Sequence, residues 1–417
     1  MASEVLTDEE KAGVSKIRDA MKGKIPRDLD TDYNLRRWWS GNHGKMADIV
    51  PRMSLYIENR RVLGFDRPDF LETFYEEEKT RTLINYFGMS RLNEHWVNRD
   101  NGIVFVESGE FDKKVVSVMT TGSYLETFFG LCEYVLRMIL KQEAKTGKPS
   151  HGICIFDMGK VDLGNHLNPL SPCNKVFKTR AIIWQEFYPD MIRRIVVVNP
   201  PYFVGMIWTV IRFLLNEHAQ KLLFFAHKKD GIFEVLDPQV TPVAFGGQLK
   251  DTTGWSDRDD CCNERKAINE SQFYVDGTIW KSLGIDTPHS ETISIKPNKV
   301  YALTRIVDEP TVIAWHFWAN GEVDFGVSKV NEGDGDHGGV LVYPRLKLVT
   351  TKVPEEGQVK VDAGTYRLEF ANTSHYFGLK IDVAIVGGKA GSRLEIQHTH
   401  STSVTSAGEP TPQPASP

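Results

Sequence analysis

The sequence predicts a multidomain chain in three parts: a helical N-terminal lobe, an α/β domain with a mostly parallel sheet, and a C-terminal all-β sandwich. Three observations carry this. Residues 1–100 show helix-start and amphipathic signals and little β signal. From Asn101, short and wholly apolar runs alternate with helical stretches, as in strands covered on both faces of a parallel sheet. From Gln272 the hydrophobic period becomes two, as in strands with one face on a core.

In the first part, Thr7-Asp8-Glu9-Glu10 reads as a helix start with an acidic first turn suited to the dipole. Amphipathic pieces follow around Leu35–Ser40, Met46–Asn59 and Phe70–Phe87. In the second part, Ile103–Glu107, Ile153–Phe156, Ile195–Val198 and Leu222–Ala226 read as strands. Between them, Tyr124–Lys145, Lys175–Glu186 and Tyr202–Leu215 read as helices. The polar stretch Lys250–Lys266 reads as a linker. In the third part, Asn320-Gly321 is a two-residue turn signal between Trp315/Phe317 and Val323/Phe325/Val327, which predicts a hairpin. Ala363-Gly364 similarly turns between Val359/Val361 and Tyr366/Leu368/Phe370. Trp315 is expected inside with Phe317, and Trp318 on the opposite, partly exposed face. The tail, ending SAGEPTPQPASP, is expected to be disordered. The expected divisions are a lobe over 1–100, an α/β domain over 101–249, a linker over 250–271, a sandwich over 272–387 and a tail over 388–417.

Composition narrows the function. With 41% hydrophobic and 25% charged residues among 417, the chain is an ordinary globular one. It is long enough to bury a large core. A formal net charge of −5 offers no field that would favour nucleic acid. The start, MASEVLTDEEKAG, has no basic region followed by an apolar run, so no signal peptide is expected. No stretch approaches the roughly 18 apolar residues of a membrane span. Five cysteines, Cys132, Cys154, Cys173, Cys261 and Cys262, lack the spacing of a disulfide framework. Together these features point to a reducing, cytoplasmic setting, in which the Asn269 and Asn372 glycosylation sequons would be idle.

Catalytic motifs are wanting. Gly333-x-Gly335-x-x-Gly338 has the letters of a dinucleotide fingerprint, but it leads into the strand-like Val340-Leu341-Val342-Tyr343-Pro344 and not into a helix. There is no phosphate-cradling GxxxxGK[ST] and no GxSxG elbow. Cys261-Cys262 have no partner pair for zinc. Asp334 and Asp336 lack the rest of a calcium loop, and His398-x-His400 sits in the tail. No catalytic residue, metal or cofactor is assigned, and an enzyme is not expected.

The informative segment is Tyr202–Leu215, interrupted strongly only by Thr209 and Arg212. A helix apolar on nearly every side is a core helix, a membrane segment or the wall of an apolar cavity. This one is too short to span a bilayer. Pro200-Pro201 suits its first turn.

At this point the residues resemble a known family. Phe187-Tyr188-Pro189-Asp190, followed by Ile195-Val196-Val197-Val198-Asn199-Pro200-Pro201, resembles the "YPE…iiNaP" signature of CRAL-TRIO, or Sec-fourteen-like, lipid-binding domains. Gln220-Lys221-Leu222-Leu223-Phe224 is similar to the family's following strand, and Leu236 to Gly247, LDPQVTPVAFGG, to its closing segment. Leu35-Arg36-Arg37-Trp38-Trp39 and His151 to Gly159 fall at the helical-lobe and central-strand positions. Between Asn298 and Val386, the pieces Ala314 to Phe317, Val323 to Val327 and Gly364 to Thr373 resemble a GOLD domain.

The resemblance implies non-catalytic binding and transfer of a hydrophobic lipid, such as a phospholipid, phosphatidylinositol, tocopherol or squalene. It places Tyr202–Leu215 as a mobile gate over a lipid pocket, with Tyr202, Phe203, Ile207, Ile211, Phe213 and Leu214 as the pocket and gate residues. Asp190 and Lys221 fall at the headgroup-contacting positions. Asp190 is shorter than the family's Glu, and Ser40-Gly41-Asn42-His43-Gly44 replaces its basic run. Transient contact with intracellular membranes is implied, and a protein partner through the GOLD-like part. The alternative is a trafficking or signalling adaptor acting through that part. The physics suits a carrier: a sixteen-carbon chain costs about 13 kcal/mol to expose to water at ~0.8 kcal/mol per methylene.

Overall fold

A five-stranded sheet organises the first two thirds of the molecule. In the computed structural model the chain is described over residues 5–161, 168, 170–212, 217–226, 231–330 and 339–397. The sheet consists of β1 (Phe87–Met89), β2 (Gly102–Phe111), β3 (His151–Asp157), β4 (Ile192–Val198) and β5 (Leu223–Phe225), in that spatial order. β2 to β5 are parallel, and β1 adds antiparallel at one edge. The apolar runs are continuous because both faces are covered. Val104, Val106, Ile153, Ile155, Val196 and Val198 pack on one side against Ile232, Leu236, Val240, Cys261 and Cys262. Phe105, Cys154, Phe156, Ile195 and Val197 alternate to the other side, toward the helices.

Those helices are α6 (Thr121–Thr146), α7 (Pro172–Phe187), α8 (Val204–Ile211) and α9 (Glu217–Lys221). Thr120 caps α6 by accepting from the Ser123 N–H, and Gly147 ends it at φ 68°, the left-handed conformation that suits glycine. Ser171 caps α7, with proline in its first turn. The N-terminal lobe comprises α1 (Asp8–Met21), α2 (Asp32–Gly41), α3 (Met46–Val62), α4 (Phe70–Thr73) and α5 (Glu78–Ile84). Thr7 and Glu10 close a reciprocal capping box on α1. The lobe is fastened to α6 by polar groups within an apolar setting. The wholly buried Glu133 accepts from Arg60 Nε at 2.7 Å and from the Tyr56 hydroxyl at 2.7 Å. Tyr188 donates to the same carboxylate at 3.3 Å.

The segment read as a linker is seated in the core at its far end. Cys261 and Cys262 are buried beneath the sheet, and Asn263 accepts from the Met89 N–H at 2.9 Å and donates to the Ile84 carbonyl at 3.1 Å. Trp255, in its middle, also packs edge-on to Tyr75 with centroids 5.4 Å apart, so a few scattered residues anchor a segment whose composition is polar. A short helix α10 (Thr278–Ser282) follows.

The last part is a sandwich of nine antiparallel strands: β6 (Glu291–Ile295), β7 (Lys299–Val307), β8 (Thr311–Ala319), β9 (Val323–Lys329), β10 (Val340–Leu348), β11 (Glu355–Val361), β12 (Gly364–Asn372), β13 (Leu379–Val386) and β14 (Lys389–Gln397). One sheet has the order β10-β9-β12-β7-β14 and the other β11-β8-β13-β6. The hairpin expected at Asn320-Gly321 is therefore corrected, while the turn expected at Ala363-Gly364 is present. β8 and β9 lie in different sheets, as do β11 and β12, so each tight turn is a corner between layers. Alternation identifies the inward face, but facing residues can belong to paired strands or to opposed sheets. Phe317 and Phe325 meet across the core with ring centroids 5.2 Å apart. Trp315 is buried and Trp318 is 37% exposed, as alternation predicts. The tail expected from 388 onward instead begins with β14, an edge strand on β7. Ser392, Arg393 and Glu395 are exposed on it, so it carries little apolar pattern.

The sandwich docks on the rest through β10 and β11. Asn59 of α3 donates to the Arg345 carbonyl at 3.0 Å and accepts from its N–H at 2.8 Å, acting as a one-residue strand partner. At the start of α6, Thr121 donates to the Val349 carbonyl at 2.6 Å, and the Gly122 N–H donates to Glu355 at 2.9 Å.

Candidate functional site

Between the sheet and α6, α7 and α8 lies a cavity of about 310 Å³. Its floor is the helix-facing register of four strands: Phe105 and Glu107, Cys154 and Phe156, Ile195 and Val197, and Leu223 and Phe225. Phe128, Leu131, Cys132 and Val135 of α6 form one wall, and Phe177, Arg180, Ala181 and Trp184 of α7 another. Val204 and Trp208, one turn apart on α8, close it from above. Trp208 meets Phe225 edge-on at 6.4 Å. The volume is of ligand size, and the lining is overwhelmingly apolar.

Two features shape this space. Aromatic rings on floor and walls hold it open, since planar groups packed edge to face cannot collapse like aliphatic ones; Phe111 and Phe177, for example, lie 4.9 Å apart at 87°. Among the described lining residues the only charged groups are Glu107 and Arg180, joined at 2.6 and 2.7 Å. Cys132 and Cys154 also line it, and burial pushes both thiols up, away from reactive thiolate. The described lining residues offer mainly apolar contact, one ion pair and the uncharged polar groups of Ser90, Ser108 and Asn174.

The expected pocket and gate residues fall as follows. Tyr202 precedes α8 and is 97% exposed. Phe203 is half-buried and packs toward Met158, Val161 and Val197. Ile207 and Ile211 belong to α8, but their side chains lie outside the described residues, as do Phe213 and Leu214 entirely. Sequence reasoning missed Val204 and Trp208. Their i, i+4 spacing was visible, but a helix apolar on every side does not reveal which stripe faces inward. It also missed Glu107 and Arg180, whose meeting depends on how α7 crosses β2.

The headgroup candidates share one neighbourhood outside the cavity. Asp190 sits at φ 51°, a left-handed conformation that aspartate tolerates better than most residues. Its carboxylate lies 2.7 Å from His218 Nε2. That hydrogen bond raises the His218 imidazole above its ordinary range. Lys221 is exposed at the end of α9. The hollow beside Asp190 and His218 measures about 20 Å³, room for one water.

Among the described residues, no helix is long and apolar enough to cross a membrane, and no group of three metal-ligating side chains occurs. Gly333 to Gly338, Asp334, Asp336 and His398 to His400 lie outside the described residues.

Comparison with known proteins gives a family match and several relatives. Residues 78–247 match the family model described as the CRAL/TRIO domain. The chain is 31% identical over 395 residues to a CRAL-TRIO domain-containing protein of Caenorhabditis elegans, covering 92% of this chain and 97% of that protein. A second CRAL-TRIO domain-containing protein of the same nematode is 23% identical over 383 residues, covering 89% and 85%. Among solved structures, the crystal structure of Sfh5 aligns over 66% of this chain and 94% of that one, with a TM-score of 0.40 and 14% identity.

Proposed function

The chain belongs to the CRAL-TRIO domain-containing proteins, a lipid-binding family, and from that premise we propose that it takes a hydrophobic lipid out of one membrane, carries it in a closed cavity and delivers it to another, without chemical change. The observation that carries this reading is the apolar cavity of about 310 Å³ beneath α8. A dry space of that kind offsets the cost of taking acyl methylenes from a bilayer into water. In this reading α8 is the gate: Val204 and Trp208 face the cargo, while Tyr202 and Met206, 97% and 50% exposed, face the membrane surface when it opens. Ile207, Ile211, Phe213 and Leu214 extend the same apolar segment. Asp190 and Lys221 are assigned to a headgroup at the surface, with the Asp190–His218 pair opening to receive it. The working places are the cytoplasm and, transiently, intracellular membranes. The working units are an N-terminal helical lobe, a lipid domain built on the sheet β1–β5, a joining segment over 250–271 and a GOLD-like sandwich that runs through β14.

Mass spectrometry of lipid co-purified with the protein, followed by transfer of that lipid between vesicles, tests the proposal. A bound lipid and net transfer are expected, both reduced when Ile207 and Ile211 are changed to Asp. Turnover of the lipid would overturn the non-catalytic reading, and normal transfer by the folded double variant would overturn the gate. Lys221→Ala is expected to weaken retention of a phosphatidylinositol; full retention removes Lys221 from the headgroup site.

One observation favours a second role for the sandwich, as an adaptor for a protein partner. Tyr376 and Phe377 are 85% and 76% exposed at a turn. The buried Asn372 holds that turn, donating to the carbonyls of Ile295, Lys296 and Phe377 at 3.1, 3.2 and 2.9 Å. Lipid retention without transfer would favour this role.

A further inference from the structure

We infer that the Glu107–Arg180 pair is a recognition element inside the cavity, selecting a lipid whose enclosed part carries an uncharged oxygen group able both to donate and to accept a hydrogen bond, with a hydroxyl as the simplest case. The inference rests on the lipid-carrier reading and deepens it by naming the class of cargo.

Glu107 rises from the sheet floor on β2, and Arg180 reaches across from α7. One terminal nitrogen of Arg180 donates to one carboxylate oxygen of Glu107 at 2.7 Å and lies 2.6 Å from the other. The other lies 3.5 Å from the Tyr124 hydroxyl, and the guanidinium sits 4.3 Å over the Phe128 ring. The side chains keep 24% and 17% of their surface open, and both border the cavity. The pair is thus presented to whatever fills the hollow. An ion pair serving stability alone is replaceable here, because buried pairs are often matched or bettered by apolar side chains of similar volume.

The balance of charge decides what it can receive. The two groups neutralise each other, so a carboxylate or phosphate drawn to Arg180 also meets Glu107, and an ammonium drawn to Glu107 also meets Arg180. The lining around them is mainly apolar, with Ser90, Ser108 and Asn174 as its uncharged polar members, so those like-charge contacts are poorly screened. A wholly hydrocarbon cargo leaves the pair without outside partners, which is costly for charged groups away from water. A hydroxyl accepts from the guanidinium and donates to the carboxylate, and hydrogen bonds to charged groups are the stronger ones.

Displacement of the fluorescent hydrocarbon diphenylhexatriene from the full-length protein tests this, with dodecanol, dodecanoate and bromododecane as competitors. Ratios between competitors are compared across variants, so their differing solubilities cancel. Replacing the pair together, Glu107→Leu with Arg180→Met, should lower the dodecanol-to-bromododecane affinity ratio at least about tenfold, the size of one good hydrogen bond. Glu107→Gln leaves Arg180 uncompensated and should raise the dodecanoate-to-dodecanol ratio at least about tenfold. Ratios unchanged in the double variant would overturn the inference, as would a dodecanoate ratio unmoved by Glu107→Gln, which decides the question alone if the double variant does not fold. Failure of the wild-type protein to bind diphenylhexatriene would sink the carrier reading and this inference together. Binding with unmoved ratios would sink only this one.

Discussion

Glu133 shows how much one side chain can hold. It is fully buried, and Arg60, Tyr56 and Tyr188 all converge on its carboxylate. Glu133→Ala would leave Arg60, itself 1% exposed, with the half-exposed Asp28 as its remaining counter-charge, and is expected to cost about 3 kcal/mol, measured as a shift in the urea midpoint. Tyr188, part of the segment that carries the family resemblance, is therefore a structural post and does not itself line the cavity. Glu355 makes a different prediction. Burial pushes its carboxyl up to about 8 from the ordinary 4.5, against the lowering effect of the Gly122 N–H. Between those values the folded protein holds a proton that the unfolded chain has lost, so stability falls as the pH rises from about 4.5 to about 8. Glu355→Gln keeps the acceptor and removes the titration. Its melting temperature should fall less across that range than the wild type's, with a gain on the order of 4–5 kcal/mol near the upper end. A wild-type profile that falls no more than the variant's would refute the assignment.

At the scale of elements, α8 is the shortest of the three helices that line the cavity. Trp208 is its largest contribution to the roof. Trp208→Ala is expected to release bound lipid about tenfold faster, read by stopped-flow transfer to acceptor vesicles, with little loss of fold stability. Much at this scale was legible in the sequence. The parallel strands announced themselves by unbroken apolar runs, and α1 by Thr7 and Glu10. What was not legible depended on pairing. The turns at Asn320-Gly321 and Ala363-Gly364 were visible, but whether they join neighbours or cross between sheets depends on contacts far apart in the chain. β1 and β14 are edge strands, one of three residues and one largely polar, and neither has the pattern of a buried run. The cavity itself could be named only through the resemblance, because an apolar residue facing a void and one facing a neighbour look the same as letters.

Across the whole molecule, the parts are joined by contacts that leave little play. Gly122 sits so close to Glu355 that an added methyl would be driven into the carboxylate. Gly122→Ala is expected to cost about 1–3 kcal/mol and to split one calorimetric transition into two as the sandwich loosens; a single unaltered transition would show that the joint carries no strain. The 26-residue helix α6 is the common member. Its first turn receives Glu355 of the sandwich, its middle receives Arg60 of the N-terminal lobe through Glu133, and its flank lines the cavity. An occupied hold therefore pushes on the same beam to which both outer decks are bolted. Loading should stiffen amide exchange at β10 and β11, well away from the cargo, so that a vessel under way with freight presents a different hull from an empty one.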